Sequence, residues 1–265
     1  MTEQIILIAI IQGITEFLPI SSSGHLILLH GVTSYDDQGL AMDVAVHVGT
    51  VFAVIIYNWR DLMQMASSIL TLGKSHRDKL GVTVSALIAT IPVVIAGYIL
   101  NQYDGAIDLL RNVEIIAWAT LLFGLLLGLA DRTKGRRRFV TTNFGDAIAI
   151  GLAQVLALIP GTSRAGITMT AARAMGLSHR AAARFSMILS IPVILGSGLL
   201  KGLDVFAQDG AMAFTPLILG AVLAFVIALL SIGAMMAIIQ RIGFMPFVIY
   251  RIVLGLILLS SVYLA

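Results

Sequence analysis

Long apolar stretches separated by short polar loops dominate the pattern of hydrophobic and polar positions along this chain. Six of them approach the roughly 20 residues that an α-helix needs to cross a bilayer. They are residues 41–59, 82–100, 114–130, 183–203, 215–239 and 245–264. Since they are apolar throughout and do not alternate, a membrane β-barrel is disfavoured. The pattern predicts an all-α polytopic membrane protein with six transmembrane helices, in one integral membrane domain of residues 1–265.

Two further apolar stretches, 4–29 and 147–177, are each interrupted near the middle by polar residues. The interruptions are Thr15-Glu16-Phe17-Leu18-Pro19 with Ser21-Ser22-Ser23-Gly24-His25, and Pro160-Gly161-Thr162-Ser163-Arg164. Each half is too short to cross a bilayer by itself. Non-helical backbone at membrane depth survives only where protein or a wet cavity surrounds it. The sequence therefore predicts two re-entrant helical hairpins, each returning to the side from which it entered.

The composition limits the functions to be considered. Hydrophobic residues make up 58% of the 265 residues and charged residues 12%, whereas soluble domains carry about 25% charged residues. This balance excludes a disordered chain, a nucleic-acid-binding protein and an ordinary cytosolic enzyme. The sequence contains no cysteine, so disulfides and thiol chemistry are excluded as well.

The charges of the loops predict the orientation of the spans. Basic loops alternate with acidic loops, as the positive-inside rule requires. The loops predicted to face the cytoplasm are 60–79, 131–143 and 240–244. The loops predicted to face outward, together with both termini, are 30–40, 101–113 and 204–214. Treating either interrupted stretch as a full crossing would spoil this alternation, which supports the two hairpins.

Each interrupted stretch is followed by three predicted spans, which indicates an internal repeat. When Pro19 is placed over Pro160, an offset of 141 residues, Ser22 falls on Ser163. Three crossings in each half turn the second half upside down relative to the first. The halves, about 1–130 and 140–265, are thus predicted to form an inverted-topology repeat. Such repeats usually hold a site at their interface near the bilayer midplane.

Glu16 is the most informative ionisable residue, because it lies deep in an apolar stretch. Gln12 lies one helical turn before it, so both side chains project from one helix face. Burial of an ionisable group in the membrane is costly, which makes Glu16 a functional candidate. The structural alternative is that Glu16 pairs with Arg164 to hold the hairpins together, a role that does not exclude catalysis.

Three serines and a histidine follow directly: Ser21, Ser22, Ser23 and His25. In a helical turn Ser22 and His25 are neighbours, so His25 is a candidate base toward a serine, or a nucleophile itself. Helix capping explains one serine but leaves Glu16 and His25 unexplained. The sequence does not decide whether Ser22 or His25 is the nucleophile.

The second interruption supplies the basic counterpart, Arg164, in a loop of small residues that opens a helix. Such a loop exposes backbone N–H groups that bind anions, and arginine adds a two-pronged contact with phosphate. Together with Glu16, a serine and a histidine, these features indicate phosphoryl transfer. Because a carboxylate would repel a phosphate, Glu16 is predicted to bind a divalent cation, Mg²⁺ or Ca²⁺, that lies between the two.

The candidate residues fall into groups by expected role. The predicted catalytic residues are Glu16, Ser22, His25 and Arg164, and Glu16 is also the predicted metal ligand. The predicted substrate-binding residues are Gln12, Ser21, Ser23, Gly161, Thr162, Ser163 and Thr168. Asp43 and His47 are interpreted as a solvated helix end rather than as the rim of the site. Arginines interpreted as snorkelling to the membrane interface are Arg173, Arg180, Arg184 and Arg251.

Both motifs resemble those of bacterial undecaprenyl-diphosphate phosphatases of the bacitracin-resistance type. The first motif reads Gln12-Gly13-Ile14-Thr15-Glu16-Phe17-Leu18-Pro19-Ile20-Ser21-Ser22-Ser23-Gly24-His25, and the second Pro160-Gly161-Thr162-Ser163-Arg164-Ala165-Gly166-Ile167-Thr168. The resemblance covers essentially the whole chain. It implies a bacterial inner (plasma) membrane enzyme that removes one phosphate from undecaprenyl diphosphate, recycles the lipid carrier for cell-wall synthesis and confers bacitracin resistance. It also implies a divalent cation and an active site open to the periplasm.

The resemblance assigns roles by position. Glu16 corresponds to the family's essential carboxylate, and the other three predicted catalytic residues match its remaining functional positions. Gln12 stands where many members have a second Glu, so that here one carboxylate does more of the metal binding. Ala165 stands where a Ser is common, so that one hydroxyl contact is lost.

Two other functions compete with this one. A phosphatidate-type lipid phosphatase shares a Ser-Gly-His motif, but it needs a His six residues after its final Ser-Arg, where this chain has Thr170. A polyprenyl-lipid flippase or transporter without catalysis also suits inverted repeats, although the cluster around Glu16 favours an enzyme. The expected partners are a polyprenyl diphosphate lipid and membrane lipids, without nucleic acid. The oligomeric state is left open, with a homodimer as one arrangement.

Overall fold

A computed structural model of the chain describes residues 2–32, 39–103, 109–207 and 214–264. These ranges are almost entirely helical and contain no β-strand apart from one isolated bridge. Their helices are α1 (Thr2–Thr15), α2 (Ser22–Val32), α3 (Gly39–Tyr57), α4 (Trp59–Leu70), α5 (Arg77–Asn101), α6 (Val113–Asp131), α7 (Phe144–Val155), α8 (Arg164–Ala174), α9 (His179–Ala207), α10 (Phe214–Ile242) and α11 (Met245–Leu264). Short 3₁₀ turns occur at Phe139–Thr141 and Leu156–Leu158.

Within the described residues, six helices are long and apolar enough to cross a membrane: α3, α5, α6, α9, α10 and α11. The six predicted spans are therefore confirmed, and the protein is a multi-pass all-α membrane protein. The largest differences lie at the helix starts, since α5 begins at Arg77 and α9 at His179, before their apolar sequence. Both helices extend into charged sequence because backbone hydrogen bonding continues beyond the apolar region.

Both interrupted stretches consist of two short helices joined by non-helical backbone. α1 packs against α2, and α7 packs against α8, as the two halves of a hairpin should. The backbone turns sharply at the end of each break, where Ser21 has φ 75° and Ser163 has φ 70°. These left-handed conformations are rare for residues other than glycine and prevent one continuous helix. The return of each hairpin to its side of entry stays a prediction.

The helix starts after the two breaks have the same local geometry. Ser21 Oγ accepts the Gly24 N–H at 3.3 Å, and Ser163 Oγ accepts the Gly166 N–H at 3.0 Å. This geometry pairs Ser21 with Ser163, an offset one residue larger than the 141 residues inferred from the prolines. The predicted register, which pairs Ser22 with Ser163, therefore differs by one residue from the correspondence of the two helix caps. The inverted repeat itself stays a prediction.

The two breaks meet in the interior of the protein. Phe17 and Ile20 of the first break share one buried hydrophobic cluster with Ala165 and Met169 of α8. The same cluster includes residues of α3, α9, α10 and α11. It also includes Leu127 of α6, so burial against five long helices fixes the position of both breaks.

The three loops predicted to face the cytoplasm lie together at one end of the helices. Asp61 accepts hydrogen bonds from Lys79 and Arg184, and both cations also lie over the ring of Phe139. Asp131 accepts the Phe244 N–H at 3.1 Å. We call this end the basic face. Most of the acidic residues of the opposite loops, including Asp36, Asp37, Asp104, Asp108 and Asp209, lie outside the described residues.

The sidedness of the spans leads to a testable prediction. A reporter tag inserted in 131–138 is expected to be accessible only from the cytoplasm, and a tag after Ala265 only from the periplasm, because the positive-inside rule orients the basic face inward. Protease protection in spheroplasts and in inverted vesicles measures both. If both tags were accessible from the same side of the membrane, the arrangement of six crossings would be contradicted.

Candidate active site

Glu16 lies at the start of the first break, directly after α1, and is buried. Its two carboxylate oxygens are shared among three donors. Oε1 accepts a hydrogen bond from Arg164 Nη2 at 2.8 Å, while Oε2 accepts from Gln12 Nε2 and Ser22 Oγ, each at 2.8 Å. A buried carboxylate is costly unless it is paired and hydrogen-bonded. These contacts meet that requirement and join both broken segments at one carboxylate.

Arg164 is the first residue of α8 and brings the second break to Glu16. Its other terminal nitrogen, Nη1, donates to the Ser186 carbonyl oxygen at 3.2 Å. The guanidinium also lies over the ring of Phe17, 5.7 Å from its centroid. These three contacts fix the orientation of the guanidinium, so that it faces the Glu16 carboxylate.

Ser22 and His25 are not brought together in the way expected from their spacing. Ser22 bonds to Glu16, whereas His25 Nδ1 lies 2.6 Å from the Ser21 carbonyl oxygen and Nε2 lies 2.5 Å from the Tyr250 hydroxyl. A carbonyl oxygen only accepts, so Nδ1 carries the proton and Nε2 holds a free lone pair. Tyr250 therefore donates to Nε2, and its ring stacks on the imidazole at 5.7 Å. Nothing in the sequence around Tyr250 indicated this contact.

The predicted substrate-binding residues occupy different positions around this centre. Gln12 is fully buried against Glu16, Ser23 is exposed next to Ser21, and Ser21 and Ser163 cap α2 and α8. The Thr162 hydroxyl is buried without a hydrogen-bond partner. The Thr168 hydroxyl instead bonds to Ser186 at 2.7 Å, which joins α8 to α9.

Gly161 allows the second break to approach α6 closely. Its φ is +91°, and a Cβ atom at this position would lie 2.5 Å from the Ile116 carbonyl oxygen. Only glycine satisfies both conditions. A Cβ on Gly24 would lie 3.7 Å from the Gly161 Cα, so the two motifs are in contact through small residues.

Arg251 connects both breaks from α11. It is fully buried, and all five of its N–H donors bond to backbone carbonyl oxygens at 2.9–3.3 Å. The acceptors are those of Pro19, Ala119, Thr120, Gly161 and Thr162. Broken helices leave carbonyl groups unpaired, and buried carbonyls need donors. Arg251 supplies these donors and ties the first break, the second break and α6 together.

The snorkelling interpretation of Arg251 is therefore wrong. The same holds for Arg173, which is buried and donates to the carbonyl oxygens of Leu177 at 2.6 Å and Asp131 at 3.1 Å. In both cases buried backbone carbonyls near the guanidinium replace water as its hydrogen-bond partners. A single arginine inside an apolar span usually faces the protein interior and has a function there. This rule, applied to Arg251, would have predicted its buried position.

We expect Arg251→Lys to reduce kcat about 10²-fold with a smaller change in KM. Lysine has three donors on one nitrogen and cannot bond to all five carbonyl oxygens. The two breaks are therefore expected to shift relative to each other, and a misplacement of catalytic groups by about 1 Å lowers the rate about 10²-fold. Steady-state kinetics of purified protein measure the effect. Arg173→Lys is the matched control, since it also removes donors from buried carbonyls but leaves the breaks untouched. Equal kcat losses in both variants would mean that Arg251 only stabilises the fold.

His47 lies closer to the site than expected. Its Nε2 is 3.8 Å from Glu16 Oε2, and its Nδ1 is 2.7 Å from the Asp43 carbonyl oxygen. The interpretation of His47 as part of a solvated helix end is therefore wrong, because α3 packs its middle against the first break. His47 therefore approaches Glu16 Oε2, whereas Arg164 binds Oε1.

The donor set around Glu16 is compatible with a hard divalent cation that binds together with substrate. No cluster of three or more His, Cys, Asp or Glu side chains that suits a metal occurs in the described ranges. However, Gln12 Oε1 is buried beside Glu16 and has no hydrogen-bond partner. Mg²⁺ binds through one or two carboxylates plus substrate phosphates. Glu16 and Gln12 Oε1 would supply the protein oxygens of such a site.

Comparisons with known proteins agree with one another. Residues 5–257 match the family described as bacitracin resistance protein BacA. The chain is 48% identical to an undecaprenyl-diphosphatase of Roseobacter denitrificans and 48% identical to one of Alteromonas mediterranea, with 98% of both chains covered in each case. It is 47% identical to an undecaprenyl-diphosphatase of Hahella chejuensis, with 99% of this chain and 98% of the relative covered.

Proposed function

The chain belongs to the bacitracin resistance protein BacA family, and from this premise and the geometry of the site we infer how it acts. It is a membrane phosphatase that hydrolyses undecaprenyl diphosphate to undecaprenyl phosphate and inorganic phosphate, the activity named for its relatives. The reaction recycles the lipid carrier. The observation that carries the assignment of residues is the hydrogen-bonded series Ser22–Glu16–Arg164, which combines a nucleophile, a base and a phosphate-binding cation.

In the proposed first step, Ser22 Oγ attacks the terminal phosphorus of the diphosphate. Its proton passes to Glu16 Oε2, which already accepts that hydroxyl at 2.8 Å. The bond between the terminal phosphorus and the bridging oxygen breaks, and its electron pair stays on that oxygen. Undecaprenyl phosphate leaves, and Ser22 carries the phosphoryl group.

In the proposed second step, water releases the phosphoryl group from Ser22. His25 Nε2 holds a lone pair because Nδ1–H donates to the Ser21 carbonyl oxygen. A water molecule attacks phosphorus and gives its proton to the Tyr250 oxygen, while the Tyr250 hydroxyl passes its own proton to Nε2, 2.5 Å away. The bond between phosphorus and Ser22 Oγ then breaks, and Glu16 returns the proton to Oγ. This step assigns Ser22 as nucleophile and His25 as base.

Arg164 and a divalent cation would neutralise the negative charge of the substrate phosphates. The planar Arg164 guanidinium binds the transferred phosphoryl oxygens through two parallel donors. A divalent cation, Mg²⁺ or Ca²⁺, held by Glu16 and Gln12 would neutralise phosphate charge when substrate is bound. The backbone N–H groups at the starts of α2 and α8 supply further donors for phosphate.

We further propose that the site opens to the periplasm of the bacterial inner membrane. The positive-inside rule places the basic face in the cytoplasm, and α1 and α2 then enter from the opposite side. A homodimer stays a prediction.

Trapping the phosphorylated enzyme tests this assignment. Purified protein is mixed with undecaprenyl diphosphate labelled at the terminal phosphate and quenched in neutral detergent, and one half of each sample is then treated with acid. Chelator is added to a parallel sample. We expect phosphate release that the chelator abolishes, and an acid-stable label on Ser22 that accumulates in His25→Ala. Ser22→Ala should lose about 10²–10⁴ in rate and all label, whereas Ser260→Ala, at an exposed serine near the end of α11, should retain both. An acid-labile label on His25 would overturn the assignment of Ser22 as nucleophile and His25 as base. Absence of phosphate release would instead favour a lipid flippase without catalysis.

A further inference from the structure

The basic face contains two adjoining clefts, away from Glu16. The larger has a volume of about 450 Å³ and the smaller about 270 Å³. Arg180 and Arg184 of α9 line both of them. The larger is also lined by Tyr57, Asn58, Trp59, Arg60, Asp61 and Met236, and the smaller by Arg138, Phe139, Val140, Ser178 and Ala181.

Positive charge in the clefts exceeds the negative charge facing them. Asp61 is the acidic residue that lines the larger cleft, and it is already bonded to Lys79 and Arg184. In the parts of the chain that the structure describes, no salt bridge engages Arg60, Arg138 or Arg180. All three side chains are exposed to solvent. The clefts therefore hold guanidinium groups without a protein counter-charge.

Asp61 does not change this balance at neutral pH. Burial by itself raises the pKa of its carboxyl, but hydrogen bonds from Lys79 and Arg184 lower the pKa below its ordinary value. The carboxylate is thus ionised and fully occupied by these two cations.

The position of the arginines on α9 adds to the unfavourable charge. α9 begins at His179 and has no acidic residue in its first turn. The N-terminus of a helix carries a partial positive charge, which favours anions and disfavours cations. Arg180 and Arg184 lie within the first two turns of this helix. An anion bound between them would relieve both the mutual repulsion and the repulsion from the helix terminus.

The clefts are separate from the active site. His47 contacts the Glu16 pocket, and Tyr57, which lines the larger cleft, lies ten residues further along α3. At 1.5 Å per residue this separation is about 15 Å. One phosphate group cannot reach both places.

We propose that the two clefts form a binding site for the phosphate group of an anionic membrane lipid. Exposed Trp59 and Tyr57 at the rim are typical of residues at the membrane–water interface, so acyl chains can lie against them while the headgroup enters. Basic pockets between transmembrane helices on the cytoplasmic side suit such headgroups. Neighbouring Met63 is also exposed and extends the apolar surface.

Tryptophan quenching tests the proposal. The full-length protein with Trp118→Phe keeps Trp59 as its single tryptophan. It is placed in nanodiscs of unlabelled phosphatidylcholine. In two parallel titrations, increasing mole fractions of this lipid are replaced by phosphatidylglycerol or by phosphatidylcholine with brominated acyl chains. We expect half-maximal quenching of Trp59 at a much lower fraction of brominated phosphatidylglycerol. Arg138→Gln with Arg180→Gln should weaken this preference by about fivefold per arginine.

Matched variants separate a site from general surface charge. Arg132 and Arg136 are exposed in the same loop as Arg138 but line neither cleft. The double variant Arg132→Gln with Arg136→Gln should retain most of the preference for phosphatidylglycerol. Its melting temperature should equal that of the Arg138→Gln, Arg180→Gln double variant. Equal quenching by both lipids, or equal losses in both double variants, would overturn the proposal. Full reversal of quenching by millimolar inorganic phosphate would overturn the lipid assignment and indicate a site for free phosphate.

Discussion

Glu16→Gln is expected to lower kcat/KM by at least about 10²–10³-fold, and no concentration of divalent cation should restore it. Loss of one preorganised electrostatic contact typically has this effect. Here the substitution removes the ion-pair partner of Arg164 and the hydrogen-bond acceptor of Ser22 and Gln12. With them it removes the proposed proton acceptor and the proposed cation ligand. Phosphate release at increasing Mg²⁺ and Ca²⁺ concentrations measures the effect.

The control for Glu16→Gln must remove the same charge without touching the site. Glu3 lies on the same helix, α1, and is exposed, so Glu3→Gln should retain activity. Because breaking a buried pair destabilises by about 3–5 kcal/mol, thermal unfolding is recorded for both variants and kinetics are measured well below the transition. Near-normal turnover by folded Glu16→Gln would reduce Glu16 to a structural ion-pair partner.

Arg164→Lys is expected to lose most activity, and Arg164→Ala essentially all of it. Lysine keeps the charge but has no planar two-pronged donor, and it cannot contact the Glu16 carboxylate and the Ser186 carbonyl with the same geometry as Nη2 and Nη1. The loss should appear mainly in kcat, because the guanidinium is proposed to stabilise charge that develops during transfer. Steady-state kinetics over a range of lipid concentrations separate kcat from KM.

An exposed arginine provides the matched control for these two variants. Arg241 lies in the last turn of α10 and is exposed. Arg241→Lys and Arg241→Ala should behave like the unmodified protein. Normal turnover by Arg164→Ala would contradict a phosphate site that both broken segments share.

The spans and the breaks were predictable because their signals are written in single stretches of sequence. A run of about 20 apolar residues identifies a span, and Glu16 or Arg164 among prolines and glycines identifies a break. The meeting of these two residues followed from chemistry, since a buried carboxylate needs a cation. Their hydrogen bond at 2.8 Å agrees with this expectation.

Features that depend on backbone groups were not predictable in the same way. Arg251 binds carbonyl oxygens of five residues, and every residue has such an oxygen, so the sequence does not reveal the partners. His25 bonds to the Ser21 carbonyl and Tyr250 rather than to Ser22, because α11 brings a side chain 225 residues away in sequence. The cap at Ser21 was not predictable for a similar reason, since a φ of 75° leaves no trace in composition.

The central claim is that Glu16 and Arg164, one from each broken segment, act in a single phosphate site. A double-mutant cycle tests it most directly, with kcat/KM measured for Glu16→Asp, Arg164→Lys and the double variant, whose milder changes keep rates measurable. Residues that act as a unit are strongly non-additive, so the double variant should lose little more than the worse single variant. Losses that simply multiply would contradict the shared site.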